Sequence, residues 1–510
     1  MTGRPRPPPR GRPALGVLGL LAAGCASLGP SLRCPEEGGP PWRELASQHF
    51  LVWTDLDGAE ARALVARLEW IRAAVVAAVW HESLEPDAPL AVVALRSERE
   101  LRLFLRGEAT GWVIADPSQP RLVLHAAGGE VVPAGVAREV ALQLADFAWL
   151  RQPRWLRAGL AAYLETIASL AGGATALVGL APEWAGRAGR VGAEPLLAWD
   201  ARDSRRGGQE FRSLNASAWE LTHFLVDERG PAFTAFQGRL GAGAAPERAW
   251  RESFPQYDPP DGGLARLERD LREWNGRGRL AKRAVPVPRP VGEPDERALP
   301  PAELHALWAV LWLSVPPEWA PPAEFRRARA EEEAARALAH DPAQPAALFV
   351  SIWLAPERER SVRARAAARA APEDWRIWLL VAGAIGPGEA AERQAALQRA
   401  RELAPDQPAV LSALARELIS AGKAEEAVAV AARAVELAAW KAFALELYSQ
   451  ALAAAGRCPQ ALAASRRAME ILPDWTAVRE REEMIARRTA LEARCGAEPA
   501  PEPEPPGSRG

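Results

Sequence analysis

Three glycines constrain this chain more than any other feature: Gly388, Gly422 and Gly456 follow one another at intervals of 34 residues. Ala400, Ala434 and Ala468 keep the same interval, each inside an apolar-periodic segment. Pro405 and Pro473 stand two intervals apart, with Ala439 at the intermediate place. A period of this size predicts stacked helical hairpins. Glycine supplies the turn where a positive φ is needed. Alanine lets neighbouring helices approach closely. A single pair cannot bury its apolar face alone, so pairs must stack.

The units "SALARELISAGKAEEAVAVAARAVELA" and "ELYSQALAAAGRCPQALAASRRAMEILPD" carry these residues. They resemble the tetratricopeptide repeat, a helix-turn-helix of the same period with small residues at helix crossings and a closing proline. Less regular units extend the pattern upstream, so a solenoid of four or five units is expected over 302–474. "WTAVREREEMIARRTALEARC", 475–495, reads as a polar-faced capping helix. The tail 496–510, "GAEPAPEPEPPGSRG", is expected to be disordered. Cys458 begins the second helix of the last unit and Cys495 ends the capping helix. They form a disulfide if their Cα atoms come within about 7 Å, and remain two thiols otherwise.

Upstream lies "RAVPVPRPVGEPDERALPP", which reads as a linker over 281–301. Before it the patterning changes. "HFLVWTD", "APLAVVALRS", "GWVIAD" and "RLVLHA" read as strands. "GAEARALVARLEWIRAAVVAAVW" and "NASAWELTHFLVDERG" have helical spacing. The order predicts a mixed α+β unit over 45–280, with the Gly-rich stretch near 175–195 as loop.

The N-terminus is a targeting segment. Arg4, Arg6, Arg10 and Arg12 precede "ALGVLGLLAA", an apolar run too short to span a bilayer. "LAAGC" then ends at Cys25 and resembles a bacterial lipobox, although Ala22 stands where that motif usually has leucine. The resemblance implies a signal peptide over 1–25, a lipid on the Cys25 thiol and stable anchoring through more than one acyl chain. Ala26 after the cysteine implies the outer membrane of a cell envelope. Residues 26–44, rich in Pro and Gly, read as an extended tether.

The stretch "AREVALQLADFAWLRQPRWLRAGLAAYLE", Ala137 to Glu165, bears on chemistry. "PRWLRAGLAAYLE" is similar at Trp155, Leu156, Gly159, Leu160, Ala161 and Tyr163 to the second motif helix of peptidase-MA-like domains. These are zinc peptidases of the gluzincin type. The resemblance covers about 48–278. It implies an α+β gluzincin-like domain followed by an all-α tetratricopeptide-repeat solenoid.

In that family H-E-x-x-H on one helix gives two zinc ligands and a water-activating Glu, and a second helix gives the third ligand. Here the aligned places hold Arg138, Glu139 and Leu142 on the first helix and Ala158 on the second. Only the Glu139 place keeps its residue type. None of Arg138, Leu142 and Ala158 binds zinc. Without the metal a water's pKa stays near about 15.7 instead of about 7. The resemblance therefore implies no catalytic residue, no metal and no cofactor. Arg138 either lies on a solvated face or sits in the old metal place, paired with Glu139.

With a formal charge of −2 no face is predicted to be strongly basic, so nucleic acid is not an expected partner. Twenty Trp against three Tyr are expected in core and helix-pair packing. The expected function is a membrane-anchored scaffold whose solenoid binds a protein or peptide. The alternative is a hydrolase with an unrecognised ligand set.

Overall fold

A computed structural model describes residues 32–80, 89–107, 111–114, 121–127, 130–131, 133–149, 152–199, 208–258, 262–278, 280–289, 292–439, 441–472 and 478–495. The segment 1–25 expected to be a signal peptide, Cys25 itself and the tail 496–510 lie outside the described residues. Among the described residues no helix is long and apolar enough to cross a membrane.

The first region runs β1 (Arg43–Ala46), β2 (Phe50–Thr54), α1 (Gly58–Val79), β3 (Leu90–Leu95), α2 (Glu98–Phe104), β4 (Gly111–Ile114), β5 (Arg121–Ala127) and β6 (Glu130–Val131). It continues with α3 (Pro133–Ala148), α4 (Arg154–Leu164), β7 (Ala168–Leu170), β8 (Thr175–Val178), α5 (Ala193–Leu197) and α6 (Gln209–Glu228). Then come α7 (Gly230–Gly241), α8 (Pro246–Ser253), α9 (Gly263–Gly276), β9 (Arg283–Pro286) and β10 (Asp295–Ala298). The main sheet has the order β10-β1-β2-β3-β5-β4, with β6 paired to β5. β2, β3 and β5 are parallel, and β10, β1 and β4 run antiparallel to their neighbours.

Local sequence sets several boundaries. Asp57 and Glu60 make a reciprocal capping box at the start of α1, and Ser97 and Glu100 make another at α2. In β3 every residue is buried, because both faces of the sheet are covered. Val92 and Ala94 point into one core with α1, α3, α4 and α6; Val93 and Leu95 point into a second.

That second core corrects two sequence expectations. The tether over 26–44 is not extended where it is described. Leu32, Cys34 and Trp42 are buried in the second core, and Trp42 meets Trp308 edge-on with ring centroids 6.1 Å apart. Nor is 281–301 a free linker. β9 pairs with β8, and β10 adds to β1 as an edge strand. All four residues of β10 are exposed and its sequence, DERA, has no apolar alternation. It is held by Arg43 to Glu296 and by Arg297 to Glu44 at 2.8 Å. Edge strands tolerate charge and neighbouring proline, and this composition reads as loop. β8 likewise lies in the stretch expected to be loop.

The helical region comprises α10 (Pro301–Ser314), α11 (Ala323–His340), α12 (Pro345–Leu354), α13 (Glu357–Ala370), α14 (Trp375–Ala384), α15 (Ala390–Leu403) and α16 (Pro408–Ser420). It ends with α17 (Ala424–Leu437), α18 (Ala442–Ala454), α19 (Cys458–Glu470) and α20 (Val478–Cys495). The boundary at 301/302 divides the chain but not the core. α10 is apolar nearly all round and belongs to the second core with the sheet. Phe104 of α2 and Trp312 of α10 lie 4.5 Å apart, and Trp112 Nε1 donates to Ser314 Oγ at 3.2 Å.

Beyond α11 the helices pack against their neighbours through small residues. Ala400, Ala427, Ala434, Ala461 and Ala468 are all fully buried. Gly422 and Gly456 take φ of 74° and 75° in the turns between paired helices. Gly388 does not share this role. It lies in a 3-10 turn, Pro387–Glu389, and is absent from the positive-φ glycines. The correction has a simple cause: α14 ends earlier than α16 and α18, so its connection needs no left-handed residue. Cys458 and Cys495 are disulfide-bonded with Cα atoms 5.4 Å apart, fastening α20 to α19. Cys34 is a buried free thiol.

Candidate functional site

The residues singled out on α4 form one stripe. Trp155, Gly159 and Tyr163 are four apart, so they face the same way on a helix. Trp155 stacks on Phe236 of α7 at 5.9 Å and meets Trp250 of α8 edge-on at 5.6 Å. Gly159 lets α4 cross α6 closely. A Cβ there would lie 2.2 Å from Thr222 Oγ1 and 2.3 Å from the Ala218 carbonyl. Tyr163 meets His223 of α6 edge-on at 5.1 Å, and burial pushes its hydroxyl pKa up to about 12. The motif helix is therefore a packing helix.

His223 is fully buried, and its Nε2 donates to the Ala281 carbonyl at 3.1 Å. Burial lowers its pKa despite the nearby Asp227 carboxylate at 3.5 Å. A neutral ring enclosed by Tyr163, Trp219 and Trp274 serves packing.

The places aligned with the peptidase ligands are also filled by packing and ion-pair residues. Leu142 and Ala158 are buried. Arg138 is part-buried and does not lie on an open, solvated face. Its Nη1 reaches Glu165 Oε2 at 3.2 Å, and its Nη2 lies 3.5 Å from Asn215 Oδ1 of α6. Glu139 is half-buried beside it in sequence. Trp184 Nε1 donates to Glu165 Oε1 at 2.6 Å, so the loop before α5 closes over this group. Burial raises the Glu165 pKa, and Arg138 opposes that shift. The sequence motif does not single out Glu165, Trp184 or Asn215. A signal for Glu165 exists: it follows Ala158 by seven residues, two turns further along the same face.

The arrangement ties α3, α4 and α6 together by an Arg–Glu pair. A second tie is bidentate: Arg157 of α4 donates to both oxygens of Asp146 of α3, at 2.7 and 2.9 Å. Among the described residues no group of three or more His, Cys, Asp or Glu side chains is placed to hold a metal ion.

The solenoid offers a different surface. Phe349 and Trp353, four apart on α12, are 43% and 51% exposed. At the equivalent places, four and eight residues past each helix start, α14 has Leu379 and Gly383, α16 has Ser412 and Arg416, and α18 has Glu446 and Gln450. The row thus passes from aromatic to polar. Its far end is covered by α20, where Arg487 Nε donates to Glu446 at 2.8 Å. The sequence pattern does not reveal this exposed pair, because periodicity marks apolar residues without saying which become solvent-facing.

No protein-family model matches the chain, and no curated protein matches it. Solved structures similar to it include TTC0263, a thermophilic TPR protein of Thermus thermophilus, at 15% identity and a TM-score of 0.31, covering 38% of this chain and 99% of that one. Another is YrrB, a TPR protein with an unusual peptide-binding site, at 20% identity and a TM-score of 0.26, covering 36% of this chain and 92% of that one. A third is residues 41 to the end of MamA from Desulfovibrio magneticus RS-1, at 15% identity and a TM-score of 0.23, covering 29% of this chain and 93% of that one. The description of this chain as a repeat protein rests on its own helix register and buried alanines.

Proposed function

We propose that the chain is a non-catalytic binding protein of the cell envelope, anchored through a lipid on Cys25, whose solenoid binds a peptide segment of a partner protein. The α/β half is read as a pseudopeptidase that serves as a rigid mount. The observation that carries the reading is the Arg138–Glu165 contact at 3.2 Å, with buried Leu142 and Ala158 at the other ligand places. A guanidinium in that position repels a divalent cation. The exposed Phe349 and Trp353 favour α12 as the contact for an apolar peptide side chain, since aromatic residues dominate such contacts.

The test is elemental analysis for zinc on the purified chain, with a casein-cleavage assay on the same sample. The expected result is no stoichiometric zinc and no chelator-sensitive cleavage. One equivalent of zinc with cleavage would establish the hydrolase alternative. Anchoring is tested separately by palmitate labelling in a bacterial host, which should label wild type and spare Cys25→Ala. The alternative of a hydrolase with an unrecognised ligand set has no observation in its favour among the described residues.

A further inference from the structure

The described chain leaves the solenoid at a defined place. Cys495, the last residue of α20, is bonded to Cys458 at the start of α19, and Arg494 Nη2 donates to the Ala453 carbonyl near the end of α18 at 2.8 Å. α12, α14, α16 and α18 lie side by side, and short turns between successive helices make alternate helices run the same way. Trp353, Gly383 and Arg416 stand near the ends of α12, α14 and α16, on that same edge. The continuation 496–510 therefore starts beside a row that passes Arg416 and Gly383 and finishes at Trp353.

Three features of the row fit that continuation. Its far end is apolar and bare, at Phe349 and Trp353. Its middle is open: Gly383 takes no positive φ and has nothing within 4 Å of a Cβ placed there, so neither turn geometry nor packing calls for a residue that weakens the helix. Its near end is cationic. α12, α14 and α16 carry one carboxylate between them, Glu417, and Arg393 of α15 holds it at 2.9 Å, which leaves the exposed Arg416 without a carboxylate partner among the described residues. The continuation, GAEPAPEPEPPGSRG, sets Glu498, Glu502 and Glu504 against a single Arg509, and its prolines favour an extended chain. Extended at about 3.1 Å per residue it reaches about 45 Å. Three steps from α18 to α12 at about 10 Å each need about 30 Å. Glu498 then falls about one step from Cys495, at Arg416, and Pro505 and Pro506 fall about three steps away, at Trp353.

We infer that residues 496–510 dock along this row of their own chain, with Glu498 against Arg416 and Pro505 and Pro506 on Trp353 and Phe349, and occupy the peptide surface until a partner displaces them. Aromatic-lined grooves hold extended Pro-rich segments in this way. Docking orders a segment whose composition alone predicts disorder. Because the segment is covalently attached, its local concentration is on the order of millimolar, so a weak contact fills the surface. The inference rests on the reading of the α12 face as a peptide contact, and it makes the tail a competitor for that face.

The experiment places the photo-cross-linker p-benzoyl-L-phenylalanine at Gly383 of the full chain, where space is open, and maps the cross-linked residues by mass spectrometry. The expected result is an intramolecular cross-link to 500–506. Phe349→Ala with Trp353→Ala should lower its yield about fivefold or more, and Glu498→Arg several-fold, each with an unchanged circular dichroism spectrum as the folding control. A second probe, the fluorescein-labelled peptide GFPLWPG with an amidated end, reads the surface itself. It should bind the full chain, weaken about tenfold in the aromatic double variant, and bind several-fold tighter to Glu498→Arg, whose tail is released. The inference is overturned if no cross-link reaches the tail, if the yield is the same in both variants, if the cross-link joins two molecules, or if Glu498→Arg leaves the peptide's affinity unchanged. A peptide that binds through Phe349 and Trp353 while the tail stays uncross-linked removes this inference alone. Failure of both probes removes the reading of the α12 face with it.

Discussion

The two halves of this molecule are built on opposite plans. In the α/β half one continuous core joins strands and helices that are far apart in sequence, and single positions carry heavy steric demands. In the solenoid the apolar residues fall into several small clusters, each made by adjacent helices and much of it alanine. The first plan resists substitution at its crossings. The second spreads its demands over many equivalent, individually weaker interfaces. The sequence motifs follow the same division. Trp155, Gly159 and Tyr163 each have specific partners on other helices, whereas one repeat glycine, Gly388, can lose its turn role without disturbing the stack.

The sharpest test sets two glycines against each other. Gly159→Leu should cost about 4 kcal/mol or more, because backbone and Thr222 already occupy the Cβ position. Gly388→Ala should be neutral within about 0.5 kcal/mol, having open space and no positive φ. Urea unfolding of the two variants measures this, and equal losses would break the contrast. Next in size is the disulfide. Cys458→Ser with Cys495→Ser should lower stability by about 2–4 kcal/mol, confined to α19 and α20. Hydrogen exchange should show α20 opening while β3 and β5 stay protected; loss of protection in the sheet would contradict the local picture.

A pH test addresses the α/β half. Burial and the neighbouring Glu100 raise the pKa of Asp55 from 3.8 to about 7, against the opposing Arg96 contacts. A raised carboxyl pKa means the folded state holds the proton more tightly than the unfolded state. Its contribution is complete below about 4 and is lost as pH rises to about 7. Wild type should therefore lose on the order of 1–2 kcal/mol between pH values of about 4.5 and about 7.5 from this group. Asp55→Asn should flatten that portion of the profile, and urea midpoints at the two pH values decide it. The smallest measurable loss is expected at Gly422→Ala, about 1 kcal/mol against none at Gly388→Ala, since φ of 74° strains alanine. Limited proteolysis should place the new cleavage between α16 and α17.

The legibility of the chain follows the range of its contacts. The repeats are visible because each helix pair restates the same local demands at one interval. α1, β2, β3, β4 and β5 are readable from apolar alternation and caps. The edge strand β10 is not, because its stability comes from pairing with β1, far earlier in the chain, and its outward residues are charged. The segment around Cys34 and Trp42 looks like a tether because Pro and Gly dominate its composition, while its burial depends on helices supplied beyond the middle of the chain. Around Arg138 the absence of zinc-binding residue types at the aligned places is visible in the sequence, but the Glu165 partner of Arg138 requires the helix crossing to be seen.

The solenoid is fixed to the same body at both ends. Its first helix shares a core with the sheet, and the Leu472 carbonyl just past α19 is held by Arg154 of α4. It is therefore a clamped arch, not a free spring. Its curvature is set by the span between two abutments as well as by the twist of its units. On the proposed reading, a partner that needed the arch wider would have to bend every hinge or break an abutment.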